Sequence, residues 1–146
     1  MNEKELIDRL KLKPHFENGL YSEQNFVNEK AKRKSSGAIY YYVRKNEKSR
    51  FHKIDSDEYW LFHLGSDLEI WIIYPNHKVV VKKCGLGKNA SPIVYVPKGS
   101  IFASKHTNAK EGTLVTCLTV PAFNKASFKI YNTNELKKRY KELKKF

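Results

Sequence analysis

Ser49-Arg50-Phe51-His52-Lys53-Ile54-Asp55-Ser56-Asp57-Glu58-Tyr59-Trp60-Leu61-Phe62-His63-Leu64-Gly65 is the stretch on which the reading of this chain turns. A polar turn, Asp55-Ser56-Asp57, separates a segment carrying His52 from a run, Glu58–His63, that is rich in aromatic residues and ends at Gly65-Ser66-Asp67. Such a run between turn signals reads as a β-strand. Side chains alternate along a strand, so an inward Glu58 takes Trp60 and Phe62 with it and sends His63 to the opposite face. His52 and Glu58, six residues apart, can reach one face by alternation or across the turn. A histidine titrates near neutrality, and a neighbouring carboxylate raises its pKa and fixes its tautomer. The stretch therefore proposes both a strand and a polar pair.

Outward from it, similar short runs recur: Ala38–Val43, Leu68–Tyr74, Lys78–Lys83, Ile93–Val96, Ile101–Lys105, Thr113–Val120 and Ser127–Tyr131. Turns at Lys45-Asn46-Glu47, Pro75-Asn76, Gly85-Leu86-Gly87 and Lys98-Gly99 separate them. About eight strands with no intervening helices indicate an all-β antiparallel sandwich or barrel. Ile70–Tyr74 and Leu114–Val120 are apolar on both faces, which suits strands lying between a barrel interior and a second packed surface such as another subunit. Short helices are expected at the ends. Glu3–Leu10 places Leu6 and Leu10 on one face. Near the C-terminus Asn132 can cap a helix, with Glu135 three residues later, and Leu136, Tyr140 and Leu143 form its apolar stripe.

With 146 residues and 40% hydrophobic composition, the chain reads as a single domain, 1–146, with one sizeable core. No apolar run approaches the ~20 residues of a membrane helix. The N-terminus is charged from Asn2-Glu3-Lys4 onward without an apolar signal core. Cys117 sits in an apolar run as a small buried hydrophobe, and nothing requires an oxidising compartment, so a cytoplasmic protein is expected. The net charge of +13 invites a nucleic-acid reading. Its clusters are Lys30–Lys34, Arg44–Lys53 and Lys137–Lys145. They fall in segments read as loops and ends, with no zinc-finger, helix-turn-helix or aromatic RNA-binding pattern beside them.

The opening stretch resembles the first conserved motif of cupins, two histidines one residue apart followed by a glutamate and a glycine. His52, Glu58 and Gly65 fall in that register; Ile54 stands where the second histidine belongs. Over nearly its whole length the chain looks like the DUF985 (Cupin_5) branch of that superfamily. The matching blocks are Leu12–Gly19, Ala38–Tyr41, Ser49–Gly65, Val96–Gly99, Leu114–Cys117 and Val120–Phe123, followed by Phe128 and Glu135-Leu136. The resemblance implies a double-stranded β-helix, the cupin jelly-roll β-barrel, paired as a homodimer. Sugar epimerases share this fold.

In metal-using cupins three histidines and a glutamate converge inside the barrel. Here the second-motif histidine, three residues after Gly99, is replaced by Phe102. Neither Ile54 nor Phe102 can ligate a metal, and His106, on the same strand parity, is the only recruit. No cofactor is expected, and His52 and Glu58 are read as a partial remnant of a metal site. Ser22 stands where the family often has arginine, and Ile101-Phe102 where it tends to have Trp-Gln.

Two main functions follow. The first is a metal-free small-molecule-binding cupin. Its ligand is carbohydrate-like or flat, held near His52 and Glu58 by Trp60, Phe62, Trp71 and Phe102, with His15 and Glu17 over the barrel mouth. The second is a sugar-type isomerase or epimerase with His52 as general base and Tyr40, Tyr42 or Tyr95 as the opposing acid. Nucleic-acid binding through the basic clusters is a third alternative.

Overall fold

The structure, a computed structural model, describes residues 1–146. In chain order the elements are α1 (Glu3–Leu10), β1 (Lys13–Pro14), β2 (Leu20–Gln24), β3 (Gly37–Val43), β4 (His52–Lys53), β5 (Asp57–Gly65), β6 (Leu68–Ile73), β7 (Val79–Cys84), β8 (Ala90–Ser91), β9 (Ile93–Val96), β10 (Ile101–His106), β11 (Thr113–Val120), β12 (Lys129–Ile130) and α2 (Thr133–Arg139). The strands form two six-stranded sheets, ordered β1-β2-β3-β11-β5-β9 and β12-β4-β10-β6-β7-β8. All pairings are antiparallel except β7 with β8. Each run expected to be extended contains a strand. Four strands were not legible as runs, namely β1, β2, β4 and β8. Three of these have only two residues and owe their form to a partner strand rather than to local preference.

The sheets face each other over a core that alternation supplies from both sides. Tyr41 and Val43 of β3, Val115 and Cys117 of β11, Trp60 of β5 and Val94 and Val96 of β9 meet Leu68, Ile70 and Ile72 of β6 and Phe102 of β10. This is the jelly-roll arrangement of a cupin barrel, with the two sheets left unclosed.

The doubly apolar strands are explained within the chain. Trp71 and Ile73 of β6 face outward and are covered by Leu136, Tyr140, Leu143 and Phe146 of the C-terminal segment. Leu114 of β11 faces outward under Leu6 of α1, beside Leu20 and Tyr42. The second surface expected from another subunit is, at these strands, the chain's own two ends. Burying a leucine-sized side chain contributes about 1.5–3 kcal/mol, so the ends are strongly held.

Both helices start on asparagine. Asn2 forms a full capping box with Glu5, a signal the sequence reading did not use. At α2 the Asn132 side chain accepts from the backbone N–H groups of Asn134 and Glu135. The stripe expected to be one helix is broken: α2 stops at Arg139 and a 3-10 turn, Lys141–Lys145, continues. Leu136, Tyr140 and Leu143 are buried nonetheless. Gly65 ends β5 at φ +106°, where a Cβ would lie 2.0 Å from the Gly112 carbonyl oxygen, so only glycine fits this motif position. No helix is long and apolar enough to cross a membrane.

Candidate ligand-binding site

Position 52 lies on a two-residue strand between Phe102 of β10 and Ile130 of β12. Glu58 lies on β5 in the opposite sheet, across from Thr119 and Val96. The turn through Asp55 and Ser56 therefore carries the chain from one sheet to the other. His52 and Glu58 face each other across the barrel rather than along one strand.

Glu17 is brought to the same point by the β1–β2 loop. Asn18 donates its backbone N–H to the His15 carbonyl at 3.2 Å and takes φ +75°, closing a tight turn. The Glu17 carbonyl accepts from Arg50 N at 2.9 Å, and Asn18 Nδ2 donates to the Lys48 carbonyl at 3.0 Å. These bonds tie the loop to the chain just before β4. Glu17 is consequently buried at 6% exposure, with Oε2 2.8 Å from His52 Nδ1. The Arg50 carbonyl lies 2.9 Å from the same nitrogen. Both neighbours are acceptors, which assigns the proton to Nδ1.

Burial of His52 pushes its pKa down, but the Glu17 charge and hydrogen bond, helped by Glu58 and the Arg50 carbonyl, more than offset it and leave it raised. His52 and Glu17 are thus a buried ion pair. His15 is different. Its Nδ1 accepts from Glu17 N at 3.2 Å, and burial lowers its pKa, so it is neutral despite lying 3.8 Å from Glu17 Oε1.

Glu58 has no such partner. Burial raises its pKa to about 7, against a lowering by His52 and a further raising by Glu17. Its near neighbours are the Cys117 thiol and the Trp60 indole. Cys117 stays a thiol because burial and the two carboxylates push its pKa well up. The thiol and the indole both act on the Glu58 carboxyl as donors and lower its pKa, although Trp60 Nε1 is buried without an acceptor at full hydrogen-bond geometry.

These groups open on a cavity of about 310 Å³. Its floor holds His52, Ile54, Glu58, Cys117 and Thr119; its mouth is aromatic, with Phe16, Tyr21, Phe123 and Phe128. Phe16 packs edge-on against Phe128 at 4.8 Å between ring centres, and Phe123 lies 5.8 Å from Phe128. Phe16 is 47% and Phe123 42% exposed, so their free faces border the opening. The irregular stretch between β2 and β3 forms one wall through Asn25, Val27, Lys34 and Ser36.

Of the residues proposed from sequence, the structure brings His15, Glu17, His52 and Glu58 together at this cavity. The expected aromatic lining is not there. Trp60 and Phe102 are core residues, and Phe102 backs the His52 ring at 4.2 Å. Phe62 packs on the same core. Trp71 points out of the barrel, bonding Glu69 through Nε1 at 2.9 Å. Even parity on β6 faces the interior, which the doubly apolar run concealed.

The proposed acids are also elsewhere. Tyr40 and Tyr42 face outward, and Tyr95 is half-exposed and donates to Asp57. Ser22 shares the outward parity of Leu20. The residues that sequence reasoning missed are Phe16, Tyr21, Phe123 and Phe128. Phe123 and Phe128 belonged to the matched blocks, but their convergence on Phe16 depends on long-range pairing.

The site does not fit a metal ion. No group of three or more His, Cys, Asp or Glu side chains is arranged to hold one. Ile54 and Phe102 offer no donor where a metal site would need its second and third histidines. His106, four residues beyond Phe102 on β10, is displaced by about 13 Å of strand and bonds Thr113 instead.

The family model described as Cupin superfamily (DUF985) matches residues 4–131, and the chain belongs to that family. Its fold is similar to the crystal structure of a protein from Shewanella oneidensis, at 30% identity and TM-score 0.88, over 99% of this chain and 94% of that one. A hypothetical protein from Leishmania major is similar at 25% identity and TM-score 0.83, over 97% and 94%. A cupin 2 conserved barrel domain protein from Rhodopseudomonas palustris shares the fold at 10% identity and TM-score 0.64, over 89% and 79%. No curated protein matches the chain.

Proposed function

We propose that this member of the cupin superfamily binds a small ring-shaped organic molecule in the cavity between its sheets, through its own side chains and without a metal. The observation that carries this reading is the convergence of a buried ion pair, Glu17–His52, and a buried carboxyl, Glu58, on one cavity of about 310 Å³ with an aromatic mouth. A cavity of that size with a few converging polar groups suits a ligand of one ring and its substituents. The test is a ring-compound set screened by thermal shift and protein-observed NMR. Binders should shift the resonances of Phe16, Phe123 and Ile54, and Ala122→Trp, at the cavity wall, should abolish those shifts. Binders that ignore Ala122→Trp would overturn the assignment.

A second reading, an isomerase acting on a carbonyl compound, is favoured by the burial of Glu58 at the cavity floor, which pushes its carboxyl up to about 7, where an acid–base group works best. It moves the base from His52, whose proton is held by Glu17, to Glu58. Solvent-deuterium exchange into a bound carbonyl compound, lost in Glu58→Gln, would support it; exchange that survives that variant would refute it.

A second copy of the chain is the proposed partner. The outer face of the first sheet carries Tyr59, Leu61 and Leu118, all partly exposed, with Ile93 at 53% exposure on the edge strand. Leu118→Lys should shift the sedimentation coefficient towards that of a monomer.

A further inference from the structure

We propose that the ligand of this cavity is an organic cation, an amine or amidine on an apolar ring, whose positive end meets Glu58 while its ring lies against Phe16 and Phe123. The inference rests on the small-molecule reading above and specifies the chemistry of that site.

The charges around the cavity lead to it. Deep inside, Glu17 and His52 compensate each other at 2.8 Å. His15 accepts a backbone hydrogen bond and is neutral. At the rim the lining holds one lysine, Lys34, and one carboxylate, Glu23. That leaves Glu58, 6% exposed, with no basic partner of its own. Around it stand Ile54, the Cys117 thiol and, behind the cavity wall, the Trp60 indole N–H; the thiol and the indole act on its carboxyl as uncharged donors, and neither supplies a counter-charge. No arginine lines the cavity, so nothing there offers the bidentate grip that carboxylates and phosphates take.

A ligand anion would meet Glu58 as a like charge in a low-dielectric interior. A ligand cation would supply the counter-charge that the fold omits. The mouth favours the same charge on the way in. The exposed faces of Phe16 and Phe123 carry the negative side of the ring quadrupole, which attracts cations and repels anions.

Glu58 also reports on the encounter. Its carboxyl is about half protonated near pH 7, so an arriving cation draws the proton off to solvent. The groups facing it are His52 on β4, Glu17 on the β1–β2 loop, and Cys117 and Trp60 on β11 and β5. His52, whose pKa is raised, loses its proton as pH climbs, and that loss favours a cation further. Cation affinity should therefore rise from pH 6 to pH 8.

Three probes of one shape separate the possibilities: benzamidine, benzamide and benzoate, titrated into the full chain by calorimetry and by NMR of the cavity resonances. Benzamidine should bind at least about tenfold tighter than benzoate, with benzamide between them. Glu58→Gln should cost benzamidine about tenfold and leave benzamide within about threefold. Should that variant fold poorly, the rise of benzamidine affinity between pH 6 and 8 in the unaltered protein serves as the second test. Benzoate binding as tightly as benzamidine at the cavity resonances, or benzamidine affinity that is flat with pH, would overturn the cation assignment while leaving the cavity reading standing. If none of the three probes moves a cavity resonance at millimolar concentration, the small-molecule reading falls, and this inference with it.

Discussion

The barrel holds a buried histidine, His52, towards one end and a half-buried one, His106, towards the other, and only His52 belongs to a cavity. His52 faces a carboxylate at 2.8 Å, and its pKa is raised despite burial. His106 faces a hydroxyl instead: Nε2 donates to Thr113 Oγ1 at 2.8 Å, and burial lowers its pKa against a smaller raising by the Arg44 backbone and Glu47. The Thr113 hydroxyl in turn donates a hydrogen bond to the Ser66 carbonyl, closing a neutral chain. The surroundings differ as well. Beyond Ser104, fully buried Leu68 and Val43 fill the His106 end, whereas the aromatic side chains around His52 border open volume. Buried histidines acquire charge from their partner, not from their depth. The sequence offers both as cupin-like ligands; the partner distinguishes them.

The largest expected break in this comparison is Glu17→Ala. It strands a buried imidazolium and should cost about 3–5 kcal/mol in urea unfolding at pH 6. Thr113→Val, at the other end, removes a neutral hydrogen bond and should cost about 1–2 kcal/mol. Equal losses would mean that Glu17–His52 is not an ion pair.

Next comes the response to pH, which has opposite signs at the two ends. Glu58 has its folded pKa raised from 4.5 to about 7, so the folded chain holds a proton that the unfolded chain has released. Its contribution is present below about 4.5 and is lost as pH rises to about 7, roughly 3 kcal/mol in all. His52, also raised, adds a loss in the same direction at higher pH. His106 is lowered, so it destabilises as pH falls through 6.5, where the unfolded chain takes up the proton first. Glu58→Gln should flatten the loss as pH rises from about 4.5 to about 7, and His106→Gln the loss as pH falls through 6.5. A third effect is read directly by NMR titration. Glu17→Gln should drop the His52 pKa below the ordinary histidine value, because burial then acts with less to oppose it, and should leave His106 unmoved.

The fold was legible because alternation is a local property. Ala38–Val43, Ile93–Val96 and Thr113–Val120 are rich in β-branched and aromatic residues, and the turns between the runs are marked by Gly, Pro and Asn. The polar half of the site was legible for a similar reason: His52, Glu58, His15 and Glu17 sit in short blocks whose residue types are unusual for an interior. The aromatic half was not. Trp60, Phe62 and Phe102 are as aromatic as Phe16 and Phe123, and only the pairing of distant strands decides which rings pack and which border space. The role of Glu17 was hidden too. Its 35-residue separation from His52 is closed by loop bonds to Lys48 and Arg50 that no periodicity announces.

The smallest expected effect lies on the cavity wall. Arg33 grips Asp55 with both guanidinium nitrogens, at 2.6 and 3.0 Å, and donates through Nε to the Ala122 carbonyl. The Asp55 carboxyl is held down at about 2 by these bonds and by Ser127. Both side chains are about a third exposed, so water screens the pair, and Asp55→Asn should cost no more than about 1 kcal/mol. Binding should respond more than stability does. Asp55 sits in the turn between His52 and Glu58, and Arg33 adjoins Lys34, which lines the cavity. Releasing the clasp frees that wall without touching the floor. The expected result is faster ligand dissociation at nearly unchanged melting temperature, with the His106 imidazole resonances unmoved. A change at His106 would show that the two ends are coupled through the barrel, and the contrast between them would then have to be redrawn as one site with two poles.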